Sequence, residues 1–387
     1  MISSFLNILR EHYVAQQNDF IPLHTPIFQG NEKKYLLDTI DSTFVSSVGA
    51  YVDRFEEMMK EITDSKFAVA TVNGTSALHI ALHSIGVGLG NEVITQPLSF
   101  VATVNAIRYL GADPIFLDVD RDTMGLSPNS LEKFLKNFTK WDDGKLINTE
   151  SNNEIKACIP MHTFGYPCRI EEIVAICDRY HLTVIEDSAE SLGSTVKDKH
   201  TGTFGKLGIF SFNGNKTVTC GGGGALVTND IDLGKRIKHL TTTAKVPHKW
   251  EYFHDELGFN YRMPNLNAAL ACAQLEQLDG FLKEKRKLSD LYKEFFKNSE
   301  IIFKSEIKNT TSNYWLNTIE FKDLLDRDEF LKVTNENKVM TRPAWNLLNT
   351  LPMFKNCITD SLENAKYLVD RLVNIPSSVK LNLNSKV

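Results

Sequence analysis

Residues 183–228 read TVIEDSAESLGSTVKDKHTGTFGKLGIFSFNGNKTVTCGGGGALVT and contain three apolar runs. The apolar run LTVIED ends in two acidic residues, and the runs LGIFSF and GALVTN follow it. Only a glycine-rich turn separates the last two runs, so we predict two neighbouring strands without a helical crossover between them. At this point the sheet is predicted to depart from the regular alternation of strand and helix.

Upstream of this stretch, short β-rich runs alternate with segments of helical period. The runs are FAVATV, EVITQ, PIFLDV and KACIPM, and helices are predicted from Ser76, near Thr103, near Leu131 and over 170–179. Such alternation is typical of an α/β protein with helices on both faces of the sheet. We therefore predict a mostly parallel, seven-stranded sheet. The polar stretch KWDDGKLINTESNNE reads as a surface loop.

Downstream of Pro264 the pattern changes, because NLNAALACAQLEQLDGFLKEKRKLSDLYKEFFKN has the spacing of one long connecting helix. Beyond it, WLNTIEF, a helical DRDEFLKVTNENK, VMTRPAW and a last helix over 362–373 predict a smaller α+β unit. We place the larger unit at 1–262, including a short amphipathic helix at its start, and the smaller unit at 263–387.

Composition narrows the class of function. The 43 basic and 48 acidic side chains give a net charge of −5 without a dense basic block, which argues against nucleic acid as a partner. The six cysteines form no CxxC pair, and neither an export signal nor an apolar run of membrane length occurs. We predict a cytoplasmic protein with small-molecule ligands. His79 and His83 share a helix face but lack a third ligand, so no metal site is predicted.

Two motifs indicate an anion site and a buried carboxylate. Gly74, Thr75 and Ser76 follow the strand FAVATV and open a helix, and a helix N-terminus binds anions. The alternative is an ordinary N-cap. Asp187 ends the strand LTVIED at the carboxyl edge of the sheet, where open α/β folds bind ligands. A carboxylate there can keep a pyridine ring protonated, although an Asp that caps the next turn is the commoner case.

Lys216 is the candidate for covalent chemistry. It follows the strand that ends at Phe212 and lies in a turn with glycine. A lysine in a partly apolar pocket loses its proton more easily and can attack an aldehyde. A surface turn is the plain alternative, and the GxxxxGK[ST] spacing of a P-loop is absent. Phe100 follows a strand end and could stack on a flat ring, although an aromatic there is more often core.

Six sequence motifs occur in an order and spacing that can be compared with those of known families. They are NGTSALHIAL, PLSFVATVNAI, HTFGYP, VIEDSAESLGS, FSFNGNK with GGGG, and GFNYRMPNLNAAL. In order and spacing they resemble the DegT/DnrJ/EryC1/StrS family of sugar aminotransferases over nearly the whole chain. GNEKKYLLDTIDSTFVSSVGAYVDRFE and MTRPAW resemble its LegC-type branch, which makes 4-amino sugars for bacillosamine and legionaminic acid. The resemblance implies the pyridoxal phosphate-dependent transferase fold of type I, like that of aspartate aminotransferase.

The resemblance also implies residue roles. Lys216 would hold pyridoxal phosphate as a Schiff base, and Asp187 would face the pyridine nitrogen. The phosphate would be held by Gly74, Thr75, Ser76 and Ser211. Phe100 would stack on the ring, Glu190 would lie near the ring hydroxyl, and Asn260 would reach the phosphate of a neighbouring subunit in a homodimer. Arg342 and Trp345 would lie near the sugar nucleotide. Glu190 departs from the Gln or His found in much of the family.

The reaction implied is transfer of an amino group from L-glutamate to a 4-keto sugar for surface-glycan biosynthesis. The expected acceptor is UDP-2-acetamido-2,6-dideoxyhexos-4-ulose, with Lys216 as base and acid. Amination at C3 of a dTDP-linked sugar is an alternative that the sequence leaves open. A dehydratase is disfavoured because such members carry His in place of the lysine, and a non-catalytic regulator is disfavoured because no DNA-binding arm is present.

Overall fold

The computed structural model describes residues 1–380. The helices of this part are α1 (Ile2–Tyr13), α2 (Glu32–Asp41), α3 (Ala50–Thr63), α4 (Gly74–Ser84), α5 (Val101–Tyr109), α6 (Pro128–Phe138), α7 (Ile170–Arg179), α8 (Ile231–Thr241), α9 (Asn265–Leu275), α10 (Leu278–Phe296), α11 (Leu324–Glu336) and α12 (Glu363–Val369). The strands are β1 (Phe67–Thr71), β2 (Asn91–Thr95), β3 (Asp113–Phe116), β4 (Thr139–Asp142), β5 (Lys145–Asn148), β6 (Glu154–Ile159), β7 (Thr183–Asp187), β8 (Thr195–Val196), β9 (Lys199–His200), β10 (Leu207–Ser211), β11 (Gly224–Thr228), β12 (Ile302–Phe303), β13 (Thr310–Thr311), β14 (Asn317–Glu320), β15 (Arg342–Pro343) and β16 (Leu372–Ile375).

The main sheet has the strand order β1-β11-β10-β7-β6-β2-β3. From β10 to β3 neighbouring strands are parallel, whereas β11 runs antiparallel to both of its neighbours. The mostly parallel sheet predicted from the sequence is confirmed, including the pair of strands without a crossover. The seven strands of this path are extended to nine by β4 and β5, since β5 pairs with β6. The carboxyl ends of β7 and β10 therefore meet at one edge, where ligands bind in folds of this kind.

Helices cover both faces of this sheet because side chains alternate along each strand. Val69 and Leu226 point to a core shared with α4, α5 and α8. Ala68 and Ala225 point to the opposite core, shared with α3 and α9. The strands are apolar on both faces for this reason.

The polar stretch over 140–154 is a β-hairpin and not the loop we predicted. Strands β4 and β5 pair with Trp141 opposite Leu146, and Ile147 of β5 pairs with Glu154 of β6. Asp143 and Gly144 both have positive φ at the turn, as the tightest hairpin turns require. The Asp-Gly pair was a hairpin signal inside a stretch that otherwise lacks apolar alternation.

The C-terminal unit is built on a second sheet in the order β12-β14-β16-β15. The long connecting helix predicted after Pro264 is two helices, because Glu276 and Gln277 separate α9 from α10. The side chain of Gln277 donates a hydrogen bond to Glu32 in α2 at this break. The last helix was predicted too long: it ends at Val369, and Val373 lies in β16, where it pairs with Ile319.

The N-terminal helix packs against the C-terminal unit, although we assigned it to 1–262. Phe5 lies 5.2 Å from Phe330 and 5.7 Å from Phe296, measured between ring centroids. The boundary near residue 263 remains a prediction, and residues 381–387 of the predicted smaller unit lie outside the described residues. Within 1–380, no helix has both the length and the apolar character needed to cross a membrane.

Candidate active site

The start of α4 offers an anion site at the sheet edge. The Asn73 side chain caps the helix by accepting a hydrogen bond from the Ser76 amide at 2.7 Å. The first intrahelical bond runs from the Ala77 amide to the Asn73 carbonyl, so helix geometry leaves the amides of Gly74 and Thr75 available.

Ser211, at the end of β10, lies directly beside this helix start. A Cβ placed on Gly74 would lie 3.1 Å from the Ser211 Cβ, so glycine permits the close approach. The structure therefore brings together the four residues predicted to hold a phosphate: Gly74, Thr75, Ser76 and Ser211.

Asp187 lies at the carboxyl end of β7 and is fully buried. One carboxylate oxygen accepts a hydrogen bond from the Thr103 hydroxyl at 2.6 Å, and the other accepts one from the Ala189 amide at 3.2 Å. Burial raises the pKa of Asp187, and these two hydrogen bonds oppose the rise. A cationic ring nitrogen beside this carboxylate would favour the ionised form further.

Its neighbour Glu186 serves a different purpose because strand side chains alternate. The Glu186 carboxylate accepts hydrogen bonds from the amides of Gly202, Phe204 and Gly205 and lies 3.1 Å from His162 Nε2. Only the second carboxylate of the Glu-Asp pair is thus directed to the candidate site.

Lys216 points into the protein rather than into solvent. Its side chain is 12% exposed, and Nζ lies 3.1 Å from Glu190 Oε1. The other oxygen of Glu190 accepts a hydrogen bond from the Phe164 amide at 2.9 Å. On another side, Nζ lies 3.9 Å from the centroid of the Trp315 ring. The three residues Asp187, Glu190 and Lys216 thus occupy one buried region. Burial raises the pKa of both carboxyl groups, and the charge of Lys216 partly opposes this rise.

The pH dependence of stability tests the environment of Glu190. Burial raises the pKa of Glu190 from 4.5 to about 7 despite the opposing effect of Lys216. Between these values the folded protein holds a proton that the unfolded chain has lost, so stability falls as pH rises through the window. Glu190→Gln cannot ionise. We expect the stability of this variant relative to the wild type to increase between pH 4.5 and 7, by up to about 3 kcal/mol.

Urea unfolding of the cofactor-free proteins at pH 5 and pH 7.5 measures this difference. A matched Glu172→Gln control in α7 removes an exposed carboxylate and should show no such trend. A stability difference between Glu190→Gln and wild type that stays constant over this range would contradict the assignment.

A cavity of about 520 Å³ opens beside the lysine turn. Phe100, Arg342 and Trp345 line it together with Asn215 and Trp315. The Phe100 and Trp345 rings are 6.2 Å apart between centroids and inclined by 55° to each other, so two aromatic side chains line the same part of the cavity. Arg342 is exposed, and its Nη1 donates hydrogen bonds of 3.3 Å to Asn335 Oδ1 and to the Thr341 carbonyl. Phe100, predicted to stack on the ring, therefore lines the same cavity as Arg342 and Trp345, which were predicted near the sugar nucleotide.

Asn260 was predicted to act toward a second subunit, and the structure places it at the surface. It is exposed, and its backbone forms a bridge with Thr242.

Sequence reasoning missed Thr103 and Trp315. Thr103 lies within PLSFVATVNAI, a motif already singled out, and its place one helical turn after Ser99 could have suggested it. Trp315 contacts a residue about a hundred positions earlier, and no local pattern marks it. Its role depends on how the C-terminal unit docks.

A flat pyridine cofactor with a phosphate arm fits these residues. The helix start and Ser211 can receive the phosphate, the buried Asp187 can meet a ring nitrogen, and the Lys216 amine can reach an aldehyde. Gly74 supports this fit, because glycine lets Ser211 approach the start of α4 closely. A larger residue at position 74 would crowd Ser211, since even a Cβ would lie 3.1 Å from the Ser211 Cβ.

Comparison with known proteins gives the same class. The profile of the DegT/DnrJ/EryC1/StrS aminotransferase family matches residues 26–386. The GDP-perosamine synthase of Escherichia coli O157:H7 is 39% identical over 335 residues, covering 87% of each chain. That of Vibrio cholerae is 37% identical over 341 residues, covering 87% of this chain and 88% of the other. PseC of Helicobacter pylori, an aminotransferase involved in pseudoaminic acid biosynthesis, has the same fold, with a TM-score of 0.85 at 23% identity over 95% of this chain and 96% of PseC.

Proposed function

The chain belongs to the DegT/DnrJ/EryC1/StrS aminotransferase family, and from this premise we propose that it aminates the 4-keto group of UDP-2-acetamido-2,6-dideoxyhexos-4-ulose with L-glutamate as donor. At the level that the family establishes, it is a pyridoxal phosphate-dependent aminotransferase of nucleotide-linked sugars. The observation that carries the proposal for the site is the inward-facing Lys216 amine beside Glu190, close to the buried Asp187.

Each part of the cofactor has a residue group to receive it. The amides at the start of α4, with the hydroxyls of Thr75, Ser76 and Ser211, would hold the phosphate. Asp187 would pair with the ring nitrogen, Glu190 would lie near the ring hydroxyl, and Phe100 would cover a ring face. Lys216 would anchor the cofactor through its amine.

Pyridoxal phosphate supplies an electron sink that stabilises negative charge at a carbon bonded to the transferred nitrogen. The negative charge of Asp187 strengthens that sink by favouring the protonated ring. Once free, the Lys216 amine takes a proton from the donor α-carbon and later delivers one to the sugar carbon. Glu190 holds Nζ in position between these two events. L-glutamate leaves as 2-oxoglutarate, the keto-sugar leaves as an amine, and water released in one half is consumed in the other.

The sugar nucleotide would enter the cavity that Phe100 and Trp345 line. An exposed arginine that lines this cavity suits a diphosphate, because arginine forms paired, charge-assisted hydrogen bonds with phosphate oxygens. Arg342 is therefore the proposed diphosphate ligand. The UDP-linked acceptor rests on the resemblance of GNEKKYLLDTIDSTFVSSVGAYVDRFE and MTRPAW to the LegC-type branch.

A GDP-linked keto-sugar is the second candidate, because two relatives at 37–39% identity are GDP-perosamine synthases. The test is incubation of the purified protein with L-glutamate and separate UDP-, GDP- and dTDP-linked keto-sugars, followed by mass spectrometry. We expect the aminated UDP sugar and one equivalent of 2-oxoglutarate. Amination of the GDP sugar alone would support the second candidate, and amination of a dTDP-linked 3-keto sugar alone would move the reaction to C3.

We also propose a homodimer in which Asn260 reaches the phosphate site of a second copy. Exposed apolar side chains supply surface for such an interface, among them Phe44, Val48, Tyr252 and Phe253. The exposed position of Asn260 leaves its amide free to contact that copy.

A further inference from the structure

Trp315 comes from the C-terminal unit, yet it contacts the lysine turn of the larger unit. The indole Nε1 donates a hydrogen bond to the carbonyl of Asn215 at 2.7 Å, one residue before Lys216. The ring face lies 3.9 Å from Lys216 Nζ, measured to the ring centroid. A single side chain thus holds both the backbone of the turn and the amine that the turn carries.

Hydrogen bonds of its backbone hold Trp315 in place. Its amide donates to Asn313 Oδ1 at 2.8 Å, and Asn313 Nδ2 in turn donates to the carbonyl of Glu190 at 2.9 Å. Its carbonyl accepts a hydrogen bond from Lys285 Nζ at 3.1 Å. The indole is therefore tied to the loop that carries Glu190 and, through Lys285, to helix α10.

Lys285 holds the backbone of the segment that carries Trp315. The side chain is fully buried, and Nζ donates to the carbonyls of Tyr314, Trp315 and Ser377 at distances between 2.8 and 3.3 Å. Burial lowers the pKa of Lys285 to about 7, because the buried ammonium group loses its hydration. A polar anchor of this kind fixes the segment in one geometry.

The Lys216 amine consequently lies between two partners of different chemistry. The Glu190 carboxylate approaches at 3.1 Å, and the Trp315 ring presents its electron-rich face. Both attract an ammonium group, the first as an ion pair and the second through a cation–π contact. An amine released from its covalent bond has a defined position to return to.

We propose that Trp315 is a positioning residue for Lys216, whose ring face receives the free ammonium and whose indole N–H fixes the turn. The inference rests on the proposed role of Lys216 in amino transfer. It adds that docking of the C-terminal unit determines where the amine lies between its two proton transfers. Trp315 acts through Lys216 and performs no chemistry itself.

The test compares Trp315→Leu and Trp315→Phe in the full-length chain loaded with pyridoxamine phosphate, which has no aldehyde and leaves the Lys216 amine free. Acetic anhydride labels lysines, and peptide mass spectrometry gives the rate at Lys216 relative to exposed Lys197. Trp315→Leu removes the ring face and the N–H, so we expect Lys216 to be labelled about fivefold faster. Trp315→Phe restores a ring without the N–H and should label about twofold faster than wild type.

Trp141→Leu and Trp141→Phe are the matched controls, because Trp141 lies half-exposed on the β4–β5 hairpin. Both should label at the wild-type rate. If Lys216 is labelled in Trp315→Leu at the same rate as in the wild type, the proposal is overturned. If Trp315→Leu fails to fold, a wild-type labelling rate of Lys216 in Trp315→Phe overturns it instead. The readout needs no turnover, so an enzyme that aminates none of the tested sugars would refute the proposed function without affecting this result.

Discussion

Lys216→Ala is expected to lower kcat by at least about 10⁴-fold, because it removes both the anchoring amine and the group that moves the proton. The side chain is mostly enclosed, and its partners Glu190 and Trp315 belong to separate segments that keep their own contacts. We therefore expect the variant to fold. Steady-state release of 2-oxoglutarate with a keto-sugar present measures the effect.

Lys197→Ala is the control, since Lys197 is 61% exposed and pairs only with Glu171 among the described residues. Its turnover should match that of the wild type. Ethylamine supplied in solution should partly restore turnover to Lys216→Ala, because a small amine can enter the space left by the side chain. Undiminished turnover in Lys216→Ala without added amine would refute the assignment.

The same variant tests the shared site. If Asn260 serves the cofactor of a second copy, Asn260→Ala should impair each site in a dimer. Mixed dimers of Lys216→Ala and Asn260→Ala chains would contain one site with both residues intact. Co-expression should then recover turnover that neither variant shows alone, whereas simple addition of the two weak activities would contradict the shared site.

Local signals were sufficient for the parts of the site that lie on single elements. A strand that ends in an acidic residue predicts a carboxylate at the sheet edge, and Asp187 lies there. A strand followed by Gly74-Thr75-Ser76 predicts a helix start that can bind an anion, and α4 begins at Gly74. These features depend on the period of apolar residues and on helix-capping residues, and both can be recognised within a short segment of the sequence.

Contacts between distant segments could not be predicted in the same way. Trp315 reaches Lys216 only because the C-terminal unit docks against the larger one, and the placement of α1 on that unit depends on the same packing. The break between α9 and α10 is another case, since the helical period continues through Glu276 and Gln277 while the contacts change. Tertiary packing decided these features over local preference.

Asp187→Asn is the second large effect, and it should separate activity from stability. Asn has the same shape, and its one oxygen can still accept the hydrogen bond from Thr103, which is 2.6 Å from the carboxylate in the wild type. The longer bond of 3.2 Å from the Ala189 amide is lost, because an NH2 group cannot accept it. The negative charge is lost, so the ring nitrogen of the cofactor is no longer kept protonated. We expect kcat to fall by about 10²- to 10³-fold, the scale for loss of a directed charge in an enclosed site. Asp178→Asn, on an exposed position of α7, should leave kcat unchanged.

Stability should move in the opposite direction. Burial raises the pKa of Asp187, so the folded protein without cofactor binds a proton more tightly than the unfolded chain, and ionisation weakens folding as pH rises. Near neutral pH, cofactor-free Asp187→Asn should therefore be at least as stable as wild type in urea unfolding. If the Asp187 carboxylate stabilised the fold, Asp187→Asn would lose stability together with activity. Retained stability with lost turnover would identify Asp187 as a residue whose buried charge costs stability and serves the reaction.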